Sequence, residues 1–232
     1  MLIRSWNLFN GNTVPPGRRA YLREMIELVT VDRPDVVCLQ EVPGWALGRL
    51  DDWAGMTALT VQTKRSTLGP LPLPATIGRA LTAPHHGIIR SAFAGQGNAI
   101  LLAPGLQART YETKTFGYGW GGQEPRAAQR ADLGHVVVAN VHCSRHVHGP
   151  AEIASILEWL RAARPLVLAG DFNTTPEGSP AVASFPGAIL GSIDQVLVRG
   201  ALVSTRVWLE EERRHGDRLL SDHAPVEATI RL

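Results

Sequence analysis

The sequence predicts an α+β protein in which mixed β-sheets pack face to face with helices outside. Three observations predict it. A helix, an Arg-Pro pair, an apolar strand and an acid follow one another in that order twice, ending once at Glu41 and once at Asp171. Strand-like segments then crowd together between residues 98 and 141, the spacing of an antiparallel meander. Further strands close the chain between residues 193 and 232. Helix–strand units combined with runs of strands give layered α+β architecture. With no linker-like segment in 232 residues, a single domain over 1–232 is expected.

Residues 2–8 set Leu2, Arg4 and Trp6 against Ile3, Ser5 and Asn7, the two-residue period of a strand. Over residues 18–30, Tyr21, Leu22, Met25, Ile26 and Val29 fall at helical spacing, giving an amphipathic helix that Pro34 ends. Residues 35–39 read as a buried strand leading to Gln40 and Glu41. Residues 62–97 form a long excursion with Pro70, Pro72, Pro74 and Pro84, and one short helix near 77–81; a loop of this length is functional or disordered. Strands follow over 98–102, 106–112, 126–133 and 135–141. A second helix, 151–163, stops at Arg164-Pro165 ahead of the strand 166–169, and strands 193–198, 201–208 and 225–232 complete the order.

Hydrophobic residues make up 44% of the chain and charged residues 19%, an ordinary globular mix that can fill a large core. A formal net charge of +2 permits a polyanionic partner without requiring one. Cys38 and Cys143 are too few for a disulfide framework and read as reduced thiols in a cytoplasmic protein. MLIRSWNLF lacks the apolar core of a signal peptide, and no apolar run approaches the length of a membrane span.

The apolar strands deliver polar residues at their ends. Asn7 follows 2–6, Glu41 follows 36–39, His142 follows 136–141, and Asp171 and Asn173 follow 166–169. Asp222 and His223 precede the last strand, and Asp194 lies within SIDQVLV. Taken singly, each is an ordinary turn, cap or surface residue. Taken together, they mark the strand-end loops where rigid scaffolds carry chemistry. Carboxylate and carboxamide oxygens without cysteine suit a hard cation such as Mg²⁺ or Mn²⁺, with Glu41 and Asp222 as its carboxylates. Two histidines and the Asp171-x-Asn173 turn then remain to orient a water and stabilise developing charge. That combination fits hydrolysis of a phosphate ester. No Gly-x-Ser-x-Gly elbow, Walker loop or zinc-type spacing points elsewhere.

The set Trp6-Asn7, Leu39-Gln40-Glu41-Val42, Asn140-Val141-His142, Gly170-Asp171-Phe172-Asn173, Ile193-Asp194 and Ser221-Asp222-His223 occurs in this order over residues 6–223. It resembles the endonuclease/exonuclease/phosphatase superfamily, which includes deoxyribonuclease I, exonuclease III, sphingomyelinases and inositol phosphatases. The resemblance implies a four-layer αββα sandwich: two mixed β-sheets flanked by helices, with one site at the top. It implies that Glu41 binds Mg²⁺ or Mn²⁺, supported by Asn7 and Asp222. Asp171 would orient or deprotonate the attacking water, assisted by Asn173. Asp194 would hold the tautomer and charge of His223, which contacts the phosphoryl oxygens. His142 would be a second imidazole, as in members resembling deoxyribonuclease I. Glu124, in QEPRAAQ, sits about where that imidazole's carboxylate partner is expected, and reads equally as an acid at the start of a strand.

The substrate stays open between readings. A nuclease acting on DNA or RNA leads, and it needs a basic, partly aromatic track. Candidates are Lys64, Arg65, Arg79, Arg90, Lys114, Arg126, Arg130 and Arg145, with Trp45, Trp53, Tyr118 and Trp120 near them in sequence. Arg126 and Arg145 stand out because they flank Glu124 and His142. A small-molecule or lipid-headgroup phosphodiesterase or phosphomonoesterase is the alternative. His142, where the abasic-site endonucleases would carry Tyr, argues against a repair nuclease. A non-catalytic binding protein that keeps the fold comes last, because every expected charged position is filled. The expected partner is thus a phosphate ester, with nucleic acid among the candidates.

Overall fold

A computed structural model of the chain describes residues 1–68, 71–82, 93–116, 125–145, 148–163 and 165–231. Its principal elements in chain order are β1 (Leu2–Asn7), α1 (Leu22–Val29), β2 (Val36–Val42), α2 (Leu50–Ala54), β3 (Thr57–Lys64), α3 (Ala75–Thr82) and β4 (Gln96–Leu102). There follow β5 (Thr110–Phe116), β6 (Arg126–Asp132), β7 (Val137–His142), α4 (Gly149–Trp159), β8 (Leu166–Asp171), β9 (Asp194–Arg199), β10 (Ala201–Val207) and β11 (Val226–Arg231). The six-stranded sheet has the order β10-β11-β1-β2-β4-β3, and the five-stranded sheet β9-β8-β7-β6-β5.

Each sheet contains one parallel pair joined through a helix. β1 and β2 pair in parallel, with Ile3 beside Val36 and Asn7 beside Gln40, and α1 connects them. β7 and β8 do the same through α4, with His142 beside Asp171. The Arg-Pro echo in the sequence is therefore a true structural repeat of strand, helix and parallel strand, one copy in each sheet. The remaining pairings are antiparallel.

Three apolar clusters give the layers. Leu22, Met25, Ile26 and Val29 of α1 pack on Trp6, Val37, Leu39 and Leu101, the outer face of the six-stranded sheet. Ile153, Ile156 and Leu160 cover Val137, Ala139, Val141, Leu166 and Leu168 on the outer face of the other sheet. Between the sheets lie Ile3, Val36, Cys38 and Ile100 against Val138, Val167, Ala169, Val196 and Val198. Helix, sheet, sheet, helix is the expected αββα sandwich. No helix among the described residues is long and apolar enough to cross a membrane.

Several boundaries differ from the sequence reading. The segment 98–102 does not begin a meander: β4 pairs with β2 and β3 in the six-stranded sheet, and only β5-β6-β7 form the antiparallel run. β5 also begins four residues later than expected. The strand Thr57–Lys64 carries no run of apolar residues because it is an edge strand with mixed exposure. The first helix starts at Leu22, since the Tyr21 N–H is drawn to the Gly11 carbonyl at 3.0 Å. It ends before Pro34 acts, at a turn where Asp32 and Arg33 take φ of 60° and 53°. The excursion after β3 contains a short hairpin, Thr67–Leu68 with Leu71–Pro72, and α3.

Candidate active site

The site forms where the inner faces run out of apolar residues. Side chains alternate between faces along a strand. On the inner face β1 reads Ile3, Ser5, Asn7; β7 reads Val138, Asn140, His142; and β8 reads Val167, Ala169, Asp171. β9, running the opposite way, begins with Asp194 and continues on that face with Val196 and Val198. The pattern therefore brings Asn7, His142, Asp171 and Asp194 to one end of the inter-sheet core.

Asp171 is 1% exposed, yet both carboxylate oxygens are satisfied. Asn7 Nδ2 donates to Oδ2 at 2.9 Å, and the Asn173 backbone N–H donates to Oδ1 at 2.8 Å. Asn173 can do this because it adopts φ 51°. Its side chain donates from Nδ2 to the Cys143 carbonyl at 2.8 Å and accepts from Arg145 Nε at 3.0 Å. Asp171 is delivered by Gly170, whose φ of 142° and position leave no space for a side chain: a Cβ there would lie 2.0 Å from the Val141 carbonyl oxygen.

Glu41 reaches the same place by a different route. Alternation puts Gln40 inward, against Asn140, and would turn Glu41 outward; with φ 52° and a β2–β4 register slip between Leu39 and Val42, Glu41 reaches the site instead. Its Oε2 accepts from Asn10 Nδ2 at 3.0 Å, and Oε1 lies 3.8 Å from His142 Nε2. Burial pushes the Glu41 carboxyl up to about 7; the Arg126 guanidinium opposes this and the neighbouring Asp171 reinforces it. His142 is buried, with Nε2 3.5 Å from Asp171 Oδ2. Arg126 Nη1 lies 2.7 Å from its Nε2 and 2.9 Å from Nδ1. A guanidinium only donates, so a ring nitrogen must accept. Burial, joined by the charges of Arg126, His223 and Arg145, holds His142 well below the ordinary histidine range. It is a neutral imidazole.

His223 is the opposite case. Its Nδ1 is 2.7 Å from Asp194 Oδ2. Burial disfavours its charge, but the Asp194 hydrogen bond and the surrounding carboxylates outweigh burial and raise it to about 9. Burial pushes Asp194 up to about 6 against the pull of His223, so at neutral pH the pair is imidazolium and carboxylate. Asp222 stands at the rim, 45% exposed, with Oδ1 3.9 Å from His223 Nε2. The loop carrying both is tied to β1: Ser221 Oγ donates to the Asn7 carbonyl at 2.7 Å, and Trp6 Nε1 donates to the His223 carbonyl at 2.9 Å. Arg213 Nη1 donates to the Ser221 carbonyl at 2.9 Å.

Left-handed backbone at Phe9, Asn10, Glu41, Asn173 and Ser221 concentrates strain in these loops, as functional sites commonly do. The arrangement thus assembles Asn7, Glu41, His142, Asp171, Asn173, Asp194 and His223, places Asp222 at the edge, and sets Arg126 and Arg145 against His142 and Asn173. Glu124 lies outside the described residues, as do Arg90, Tyr118 and Trp120. Lys114 instead donates to the Ser155 carbonyl at 3.2 Å on α4. Sequence reasoning passed over Asn10, Gln96 (Nε2 3.5 Å from His142 Nδ1) and Arg213, and it included Ser221 in a motif without giving it a role. The Asn10-Gly11 pair directly after a strand was a readable turn signal; the other contacts depend on distant parts of the chain.

The donor set suits a divalent cation. Asp171, Asp194 and His223 have ligand-type atoms within 4.8 Å of one another, of which the two carboxylates are available while His223 holds its proton. Asp194 Oδ1 and Asn10 Oδ1 are buried without a hydrogen-bond partner among the described residues, and Glu41 lies beside Asn10. Oxygen donors in this number match the preference of hard cations.

An αββα sandwich with carboxylates, amides and two imidazoles at the joined strand ends has the groups that phosphate-ester chemistry uses. The comparison with known proteins makes this specific: the model of the endonuclease/exonuclease/phosphatase family matches residues 5–223, and the chain belongs to that family. Family membership supports a phosphoesterase activity, and enzymes of this family typically use divalent metals. No curated protein matches the chain. Among solved structures, a functionally unknown conserved protein from Enterococcus faecalis V583 is similar at 19% identity and TM-score 0.70, over 100% of this chain and 99% of that one. A mannosyl-6-phosphatase from Bacteroides thetaiotaomicron is similar at 17% identity and TM-score 0.62, over all of both chains. TDP2 from Caenorhabditis elegans is similar at 16% identity and TM-score 0.62, over 100% of this chain and 74% of that one.

Proposed function

We propose that the protein is a divalent-cation-dependent phosphoesterase that hydrolyses a phosphodiester by in-line attack of water, with DNA or RNA as substrate. The observation that carries this reading is the convergence of Glu41, Asp171, the Asp194–His223 ion pair and the neutral His142 on one end of the inter-sheet core. Mg²⁺ or Mn²⁺ would be held by Glu41 with Asn7 and Asp222, and when bound it supplies positive charge against the phosphate. Asp171, fixed by Asn7 and by the Asn173 N–H, orients the attacking water and takes its proton. The new P–O bond forms as the ester P–O bond opposite it breaks. The His223 imidazolium, held in place by Asp194, donates to the non-bridging oxygens where negative charge grows. Neutral His142, with Arg126 beside it, contacts the phosphate from the other side. A cytoplasmic setting belongs to this reading, consistent with Cys38 and Cys143 as free buried thiols.

The test is hydrolysis of bis-p-nitrophenyl phosphate, p-nitrophenyl phosphate and single- and double-stranded DNA with Mg²⁺ or Mn²⁺. Asp171→Asn and His223→Ala are expected to stay folded and lose at least about a hundredfold in turnover. Near-normal rates in either folded variant reject the mechanism. Cleavage of only the small esters moves the substrate to a metabolite or lipid headgroup.

A further inference from the structure

On the outer side of the six-stranded sheet, next to the Glu41 end, lies a groove of about 430 Å³ lined by Arg19, Arg49, Arg79, Trp45 and Trp53, together with Arg23 and Glu24. Its charges are unequal in kind. Arg19 pairs with Glu24 at 2.5 Å and Arg23 with Glu27 at 2.8 Å. Arg49 and Arg79 have no carboxylate partner among the described residues. Both are exposed, and they come from separate elements, the turn before α2 and the middle of α3. The floor between them is aromatic: Arg79 lies 5.8 Å from the Trp45 ring centroid, and Trp45 meets Trp53 edge to face at 6.4 Å.

Two short paths join this groove to the reacting centre. Trp45 is four residues beyond Glu41, a chain reach of at most about 14 Å. Asn10 touches Glu41, and the carbonyl of the next residue, Gly11, accepts the N–H of Tyr21, which adjoins Ala20 in the groove wall. Both paths place the groove on the Glu41 side of the reacting centre, so a ligand that continues beyond a phosphate at Asp171 on that side runs toward Arg49 and Arg79.

We infer that the groove binds the flanking phosphates of a single-stranded nucleic acid whose scissile phosphate sits at Asp171, a placement that rests on the phosphoesterase reading above. Guanidiniums without a carboxylate partner are available to phosphate oxygens, and the partly buried Trp53 beside them offers an aromatic surface that a base can contact without regard to sequence. At about 430 Å³ the groove matches one nucleotide in volume rather than a duplex. A lipid would instead need a broad apolar face.

The experiment is fluorescence anisotropy with a labelled single-stranded oligonucleotide, using Asp171→Asn protein to prevent turnover, with and without Arg49→Gln/Arg79→Gln. Removing the two guanidiniums is expected to weaken Kd at least tenfold and to reduce the slope of log K against log salt by about 1.4, two single-strand phosphate contacts. Hydrolysis of bis-p-nitrophenyl phosphate, too small to reach the groove, should be unaffected by the same pair of changes in otherwise wild-type protein. Unchanged Kd and slope overturn the groove assignment, as does parallel loss of small-ester hydrolysis. Equal weakening for a duplex overturns its single-strand character. If the wild type binds the oligonucleotide through Arg49 and Arg79 but hydrolyses neither it nor the small ester, the phosphoesterase reading fails while the groove stands.

Discussion

His223 keeps its proton at neutral pH because Asp194 is 2.7 Å away, and this one contact sets a pH range for both stability and activity. The folded-state value of about 9 lies above the ordinary 6.5. The contribution of His223 to stability is therefore complete below pH 6.5 and is lost as pH rises through about 9. Asp194, also raised, to about 6, works in the same sense over its own, lower range: its contribution is complete below about pH 4 and is lost as pH rises through about 6. Above pH 6 its buried charge is a cost that the imidazolium offsets. Replacing the carboxylate removes the offset. In Asp194→Asn, burial becomes the dominant influence on His223, and its ring is expected to titrate below 6.5. Histidine resonances followed by NMR across pH 5–10 measure this, and kcat/KM for a phosphodiester should lose its alkaline range with them. A His223 that still titrates near 9 in this variant would show that Asp194 is not what holds its charge.

At the scale of elements, the site depends on backbone that only certain residues permit. β7 and β8 approach so closely at Gly170 that a Cβ would sit 2.0 Å from the Val141 oxygen, at a φ of 142°. Neither atom can yield without opening the parallel pair that carries His142 and Asp171. Gly170→Ala is expected to cost at least about 3 kcal/mol. Gly191→Ala provides the contrast: its φ is 73° but nothing lies within 4 Å, so only backbone strain applies, about 1 kcal/mol. Urea unfolding of the two variants separates steric clash from conformational preference, and equal losses would reject the clash. Such features also decide what the sequence could disclose. The parallel pairs were readable because doubly buried strands are continuous apolar runs, as Leu166–Ala169 is. The Asp, Asn and His at their ends were readable by position. β3 was not, because an edge strand of Thr, Gln and Lys has no apolar signal. The placement of β4 in the other sheet was not, because sheet membership is decided by tertiary pairing. The turn at Asn10-Gly11 was readable, but the contacts of Asn10 with Glu41 and of Arg126 with His142 join distant parts of the chain, which no local pattern encodes.

For the whole molecule, the question is what keeps two separately built sheets in the alignment that the site requires. Most of their interface is apolar and imposes little direction. Asn98 Nδ2 donates across to the Ala127 carbonyl at 3.0 Å and Gln129 Nε2 to the Leu59 carbonyl at 2.8 Å, and directly beneath the site the link is Asn140. It belongs to the five-stranded sheet, one inner-face position below His142, and its Nδ2 contacts the Leu39 carbonyl at 3.0 Å and the Ala99 carbonyl at 2.9 Å in the six-stranded sheet. Its Oδ1 accepts from Gln40 Nε2 at 2.7 Å, and Nδ2 also lies 2.9 Å from Gln129 Oε1. One buried amide therefore links both parallel pairs directly beneath Glu41 and His142. Its loss would leave several polar groups without partners in a medium where each costs about 1–3 kcal/mol. Asn140→Leu keeps the branched shape and the number of heavy atoms, so it removes the hydrogen bonds without creating a cavity, and its bulkier methyls add to the cost. We expect it to cost at least about 3 kcal/mol in chemical denaturation and to lower turnover through misalignment of His142. Combined with Gln40→Ala, the loss should fall short of the sum by at least about 1 kcal/mol, since the two share one hydrogen bond. A Leu variant as stable and active as the wild type would mean that apolar packing alone sets the register of the sheets.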